Sequence, residues 1–146
     1  MVDLLTYDRT MMQVAKTIAT MSKAERKKVG CVIERAGNIL AFGFNGTPTG
    51  FPNACEGENG ETLPEVMHAE HNAIAKVARS TMSCDGAVMY ITLSPCFQCA
   101  KQIIQAGIEC VVYEEEYHNT EGLELLRQAG VLVLNIGKVV GNAYEV

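Results

Sequence analysis

The strand–helix–strand pattern of residues 87–113, AVMYITLSPCFQCAKQIIQAGIECVVY, decides the fold. Its two ends, AVMYITL and ECVVY, have the length and the apolar composition of buried strands, whereas the residues from about Cys96 to Ala106 have the length and spacing of a helix. A helix that joins two strands of one sheet crosses over the sheet and leaves the strands parallel. The segment therefore predicts an α/β protein with a parallel portion of sheet.

The segments on either side extend this alternation. A helix is predicted from about Thr120 to Gln128, and a strand follows over VLVLNIG, residues 131–137. Before the deciding segment, a helix is predicted from about Met67 to Arg79, preceded by a β-hairpin of VGCVIER and ILAFGFN around residues 36–38. A first amphipathic helix covers about Leu4 to Met21. Together these elements predict a mixed sheet of about five strands with helices on both faces.

Composition narrows the class of protein. A chain of 146 residues, 48% hydrophobic and 20% charged, has the size of a single domain, residues 1–146, with a real core. It contains neither a signal-peptide pattern nor an apolar run of about 18 residues, which predicts a cytoplasmic protein with no membrane segment. Six cysteines there are mostly reduced, which favours metal binding or burial over disulfides. The net charge of −5 argues against nucleic acid as a partner.

Two cysteines have the spacing of metal ligands. Cys96 and Cys99 stand at i and i+3, and Pro95 favours a helix that begins there. Both sulfurs then project from one side of the first helical turn, where the helix dipole favours thiolates. Two thiolates at this spacing match half of a zinc site. A redox pair and two buried thiols remain alternatives for this motif alone.

The stretch PEVMHAEHNA, residues 64–73, supplies the remaining parts of a catalytic zinc site. His68 starts a helix that one strand joins to the cysteine helix, so the starts of both helices are expected at the same sheet edge. His68, Cys96 and Cys99 would then converge on one ion and leave its fourth position for water, as in catalytic sites. Glu70 follows two residues later, where its carboxylate can move protons, and Ala69 leaves room for a flat substrate. An isolated glutamate at a helix start would otherwise be read as favouring the dipole.

The motifs HAE and PCFQC together resemble those of the zinc-dependent cytidine and deoxycytidylate deaminase superfamily. The segments VGCVIERAGNILAFGFNGTPTGF, HAEHNAI and CAKQIIQAGIECVVYEEEYHN are similar to the deoxycytidylate (dCMP) deaminase branch over most of residues 22–137. The resemblance implies a three-layer α/β/α fold, one zinc ion, and hydrolysis of dCMP to dUMP and ammonia. It also implies that Glu70 protonates the pyrimidine N3 and then the departing amino group.

The resemblance assigns further residues to the substrate. It implies that Asn45, in GFNG, contacts the sugar and base, and that Tyr117 and the segment with Ser22 and Arg26 lie near the 5′-phosphate. Each assignment has a rival from the sequence alone. Asn45 before a glycine is also a turn residue, Arg26 belongs to a charge run typical of solvated surface, and Tyr117 is also suited to the edge of the core.

Other properties implied by the resemblance concern assembly and control. The segment FNGTPTGFPN, residues 44–53, resembles the region where family members bind the activator dCTP and the inhibitor dTTP. The resemblance also implies a homohexamer assembled partly through the long loop GTPTGFPNACEGENGETLPE, residues 46–65. A second zinc near this loop would have Cys55 and His71 as conceivable ligands, without a tight cluster of four. Alternative functions are a deaminase of cytidine, guanine-type bases or tRNA adenosine, and a non-catalytic zinc-binding accessory protein.

Overall fold

The computed structural model describes residues 2–145. Four helices and seven strands follow one another in the order α1 (Leu4–Ala19), β1 (Gly30–Arg35), β2 (Asn38–Phe44), α2 (Ala69–Ala78), β3 (Val88–Leu93), α3 (Phe97–Gln105), β4 (Cys110–Glu115), α4 (Glu121–Gln128), β5 (Leu132–Asn135), β6 (Val139–Val140) and β7 (Ala143–Tyr144). Each helix described is too short or too polar to cross a membrane.

Five strands form one mixed sheet in the order β2-β1-β3-β4-β5. β1 is antiparallel to both β2 and β3, whereas β3, β4 and β5 are parallel to one another. The two parallel pairs are the ones joined by α3 and α4, as crossover connections require. The predicted mixed five-stranded sheet is therefore confirmed.

The sheet separates two layers of helix, which confirms the three-layer fold. On one face, alternate strand residues such as Ile33, Met89 and Val111 pack in one buried cluster with residues of α2, α3 and α4. On the other face, Val32, Tyr90 and Val112 pack with residues of α1. Successive residues of a strand point to opposite faces, so each central strand contributes to both clusters. This double burial explains why the central strands are apolar without strict alternation.

The hairpin turn is shorter than the sequence predicts. Ala36 and Gly37 have φ values of 53° and 85°, so both central residues occupy the left-handed region, as in a two-residue turn that matches strand twist. Asn38, predicted in the turn, pairs with Arg35 and opens β2. The Glu34 carboxylate accepts a hydrogen bond from Gly37 N–H at 2.8 Å and stabilises this turn.

A small C-terminal hairpin is an element that the sequence analysis missed. The strand predicted over residues 131–137 ends at Asn135, and β6 and β7 then pair antiparallel. Tyr144 Oη donates to the carboxylate of Asp8 in α1, which also accepts from Tyr90 Oη at 2.6 Å. Asp8 is buried, so two hydroxyl donors offset the cost of removing its charge from water. The hairpin is thereby fastened to α1 and to the sheet.

Close approach of α2 to the sheet depends on Gly43. A Cβ at Gly43 would lie 2.5 Å from the carbonyl oxygen of Ala69 and 2.6 Å from the backbone nitrogen of Ala73. Real Cβ atoms do not approach backbone this closely, so any side chain at residue 43 pushes the first turns of α2 outward.

We expect Gly43→Ala to lower the free energy of unfolding by about 1–3 kcal/mol, because the added methyl overlaps backbone atoms that cannot rotate away. Urea denaturation of both proteins measures this difference. Gly46→Ala is a matched control, since a Cβ there meets nothing closer than 3.8 Å. Equal stability of Gly43→Ala and the wild type would show that α2 adjusts without cost.

Candidate active site

The predicted metal ligands lie where α2 and α3 begin. His68 and Cys96 are the residues immediately before these helices, both with extended backbone (ψ 157° and 172°), and neither side chain caps its own helix. Both side chains therefore leave the helix axis and point to a common space. The sequence analysis placed the start of α2 at about Met67, two residues before its observed start at Ala69.

The three ligand atoms converge as predicted. His68 Nδ1 lies 3.1 Å from Cys99 Sγ and 3.6 Å from Cys96 Sγ, and all three atoms are within 4.8 Å of one another. Tetrahedral zinc bonds of about 2.0–2.1 Å to nitrogen and 2.3 Å to sulfur place N and S roughly 3.5 Å apart. The spacing and the donor set, one imidazole and two thiols, fit a zinc ion.

The protons on this cluster are unevenly shared. The pKa of Cys96 is lowered to about 3, chiefly by a hydrogen bond from the Cys99 thiol and then by one from His68. The same bond to Cys96, together with burial, raises the pKa of Cys99. The hydrogen bond with Cys96 also raises the pKa of His68. The lowered pKa favours the thiolate of Cys96, the form that binds metal.

Glu70 is a buried carboxyl group beside this cluster. It is 4% exposed and lines the same cavity as His68 and Cys96. Burial raises its pKa, opposed by its own backbone N–H and by the charge of His68. A carboxyl group whose pKa is shifted towards neutrality is suited to take up and release protons.

Packing fixes the spacing between the two ligand-bearing turns. A Cβ at Gly122 in α4 would lie 2.3 Å from the carbonyl oxygen of Pro95 and 2.8 Å from that of Cys96, so α4 braces the start of α3. On the α2 side, Gly46 and Met67 exchange two backbone hydrogen bonds of 3.1 and 2.8 Å directly before His68. Asn72 Nδ2 also donates to the carbonyl of Phe44 at 2.8 Å.

The ligand cluster opens into a cavity of about 340 Å³, within the range of small-molecule sites. Four of the five predicted substrate-binding residues line it, namely Arg26, Asn45, Ala69 and Tyr117. Ser22 does not line it, since its side chain is buried and its hydroxyl donates to the carbonyl of Asn45 at 2.8 Å. The structure therefore places Ser22 behind the cavity wall.

The side chain of Asn45 holds backbone of a neighbouring segment in place, a role that the sequence did not predict. Its Oδ1 accepts from Val29 N–H at 2.9 Å, and its Nδ2 donates to the carbonyl of Lys27 at 2.8 Å. The amide thus holds the segment before β1. One Nδ2 hydrogen and one Oδ1 lone pair remain for a ligand in the cavity.

Three further cavity-side residues escaped the sequence analysis. Ser94 precedes the PCxxC motif, and its Oγ accepts from Tyr117 N–H at 2.7 Å, which fixes the Tyr117 backbone. Lys27 lines the cavity and forms an ion pair with Glu115. Glu56, from the long loop, lines the cavity and accepts from the backbone N–H of Glu25. Ser94 had a sequence signal in its place beside the motif, and Lys27 had one in the charge run that follows Arg26, where the sequence favoured Arg26 alone.

Among residues 2–145, His68, Cys96 and Cys99 are the one cluster of three or more metal-ligating side chains. Cys55 and His71 belong to no second cluster of this kind there. His71 instead stacks on His68, with ring centroids 6.1 Å apart.

Known proteins are similar to this chain in sequence and in fold. Residues 5–115 match the family described as the cytidine and deoxycytidylate deaminase zinc-binding region. The deoxycytidylate deaminase of Enterobacteria phage T4 is 37% identical, over 88% of this chain and 89% of its own. ComE operon protein 2 of Bacillus subtilis is 36% identical, over 88% of this chain and 70% of its own. The dCMP deaminase of cyanophage S-TIM5, whose crystal structure is in complex with dCMP and dUMP, is 43% identical in sequence. The match to that structure has a TM-score of 0.89 and covers 92% of this chain and 99% of the other.

A family match over about three quarters of the sequence, together with these relatives, establishes the class. The chain belongs to the cytidine and deoxycytidylate deaminase family.

We expect Cys96→Ser and Cys99→Ser each to lose zinc and activity, because a serine hydroxyl replaces a thiolate ligand. Glu70→Gln should keep zinc, since Glu70 is not a ligand, and lose about 10²–10⁴-fold in kcat with the proton transfers. Metal content by elemental analysis and initial rates separate the two roles. Near-normal turnover of Glu70→Gln would contradict the role given to this carboxyl group.

Proposed function

We propose that this protein is a zinc-dependent hydrolase that converts dCMP and water to dUMP and ammonia. The observation that carries the proposal is the buried Glu70 carboxyl group in one cavity with the His68, Cys96 and Cys99 cluster. A structural zinc site has no use for a protonatable group held out of water. Similarity to deoxycytidylate deaminases over most of both chains supports dCMP as the substrate.

The chain's own residues account for the proton transfers. Zinc bound by His68, Cys96 and Cys99 would supply a Lewis acid that lowers the pKa of water to about 7. Glu70 would take a proton from the attacking water and give it to N3 of the pyrimidine, and would then move the remaining hydroxyl proton to the amino group that departs from C4. The C4–N bond breaks, a C4–O bond replaces it, and ammonia leaves. Ala69, fully buried, presents a small side chain at the cavity wall, so a flat ring fits beside it.

The cavity also suits a phosphate. Arg26, Lys27 and Tyr117 line it, and they provide two cations and one neutral hydroxyl donor. Lys27 is paired with Glu115, whereas Arg26 forms no ion pair within the described residues. Because the planar guanidinium of arginine holds two phosphate oxygens at once, Arg26 is the main phosphate ligand in this proposal.

We expect dCMP to be greatly preferred to deoxycytidine, and Arg26→Ala to lower kcat/KM for dCMP on the order of 10- to 150-fold, mainly through KM. The poor activity on deoxycytidine should scarcely change, because that substrate has no phosphate. Ammonia release from both substrates, with each variant, measures these ratios.

Lys28→Ala is the matched control, because Lys28 belongs to the same charge run but does not line the cavity. Equal losses on both substrates in Arg26→Ala would indicate a structural role for Arg26. Equal use of deoxycytidine and dCMP by the wild-type enzyme would overturn the phosphate assignment.

A non-catalytic accessory function is the rival class, since one relative, ComE operon protein 2, is not named as a deaminase. Such a function needs the fold and the metal but not Glu70. Zinc content therefore does not separate the two classes, and ammonia release from dCMP does. A panel that adds CMP, dCTP and cytidine tests the other deaminase substrates in the same assay.

Regulation and assembly are a further part of the proposal. We propose activation by dCTP and inhibition by dTTP because residues 44–53 resemble the effector-binding region of the family. We also propose a homohexamer assembled partly through the long loop, as the family resemblance implies, and a cytoplasmic location. Sigmoidal dCMP kinetics that become hyperbolic with dCTP are expected. Kinetics unaffected by either triphosphate would contradict the proposed regulation. A monomer in solution would contradict the proposed hexamer.

A further inference from the structure

The two cations proposed to bind the phosphate belong to a segment without regular structure. Residues 22–29, here called the connector, join α1 to β1 and belong to no helix or strand. Arg26 and Lys27 extend from the middle of the connector into the cavity lining. The position of both cations therefore depends on what holds the connector backbone.

Side chains, not a neighbouring strand, hold most of that backbone. Ala24 N–H donates to Ser22 Oγ at 3.2 Å, and Asn45 bonds Val29 N–H and the carbonyl of Lys27. These contacts fix the two ends of the connector. Its centre, around Arg26, needs a separate anchor.

Glu56 is that anchor. Its carboxylate oxygens lie 3.1 and 3.2 Å from the backbone nitrogen of Glu25, and one of them lies 3.3 Å from that of Arg26. Two successive backbone N–H groups thus donate to one carboxylate, an arrangement that suits a negative charge. The bonds reach across 30 residues of sequence and join the long loop to the connector.

The loop around Glu56 is itself braced. Glu56 and Thr62 form an isolated antiparallel bridge, and Leu63 N–H donates to the carbonyl of Cys55 at 2.8 Å. Cys55, the preceding residue, is buried. The carboxylate is therefore presented from a fixed support and does not depend on a free surface side chain.

We propose that Glu56 is a positioning residue that holds the connector in the conformation in which Arg26 and Lys27 meet the substrate phosphate. The proposal rests on the proposed function and assigns a role to a residue that does not itself take part in the chemistry. Without Glu56, the centre of the connector must be ordered by the substrate, and that ordering weakens binding.

The negative charge of Glu56 would change the KM for dCMP in the opposite direction. Glu56 lines the cavity, so its negative charge also repels a phosphate dianion, and its removal would then tighten binding. The two effects separate in Glu56→Gln, which keeps an acceptor oxygen for the N–H groups and loses the charge. Glu58 offers a matched control because it is exposed, lies two residues away on the same loop and bonds nothing in the connector.

The experiment compares Glu56→Ala, Glu56→Gln and Glu58→Ala with the wild-type protein, on dCMP and on deoxycytidine. We expect Glu56→Ala to raise KM for dCMP on the order of tenfold, with kcat and the activity on deoxycytidine unchanged within about twofold. Glu56→Gln should recover most of the wild-type KM, and Glu58→Ala should match the wild type. A lower KM for dCMP in both Glu56 variants, or equal losses on both substrates, would overturn the proposal.

Hydrogen exchange at the amides of Glu25 and Arg26 tests the anchor without any substrate. We expect faster exchange in Glu56→Ala and wild-type rates in Glu58→Ala, because only the first removes the acceptor. Unchanged exchange in Glu56→Ala would overturn the proposal whatever the enzyme acts on. Accelerated exchange in a protein that does not prefer dCMP to deoxycytidine would contradict the proposed function and leave the anchor in place.

Discussion

The site depends on one constraint, that α2 and α3 begin at the same edge of the sheet with a ligand at the residue before each helix. His68 and Cys96 are both extended at that residue, so their side chains leave the helices towards each other. A helix turns about 100° per residue, so a start displaced by one residue would turn the ligand away from the cluster. Cys99, one turn into α3, then completes the set on the side that the start of the helix defines.

Small residues maintain this alignment by allowing backbone to touch backbone. The lack of a side chain at Gly43 lets α2 pack closely on β2, and the lack of one at Gly122 lets α4 pack closely on the Pro95–Cys96 backbone. Each contact holds one ligand-bearing turn against an element that carries no ligand itself. The geometry of the cluster is thus a property of the packed core, and a change at either glycine acts on the ligands through the backbone.

The fold and the chemistry of the cluster were predictable because they depend on local patterns. Buried strands such as β3 and β4 have apolar runs of limited length, and a crossover helix makes them parallel. The motifs around His68 and Cys96 place chemically distinctive residues at helix starts. These signals are contiguous in the sequence, so no knowledge of the tertiary contacts was needed to read them.

The remaining features could not be predicted because each depends on a partner distant in sequence. Ser22 belongs to a segment near the cavity, but its hydroxyl turns to the carbonyl of Asn45, 23 residues away. The C-terminal hairpin of β6 and β7 is held by the hydrogen bond from Tyr144 to Asp8, near the other end of the chain. In the sequence Glu56 is an ordinary acidic loop residue, and only the structure shows its carboxylate bonded to the connector backbone. Hydrogen bonds of this kind leave no periodic signal.

A short stretch of chain between β3 and α3 links the metal ligands to other residues that line the cavity. Ser94 accepts from Tyr117 N–H at its hydroxyl and donates its own N–H to the carbonyl of Glu115, and it stands two residues before the ligand Cys96. Lys27, on the connector, pairs with the same Glu115. Ser94 follows the end of β3 and Glu115 ends β4, the neighbouring parallel strand, so these contacts tie both the segment before Cys96 and the connector to the end of β4. In the proposed function, an acidic chain selects an anionic substrate because its net charge is diffuse and screened beyond about 8–10 Å, whereas Arg26 and Lys27 would act on the phosphate at contact distance.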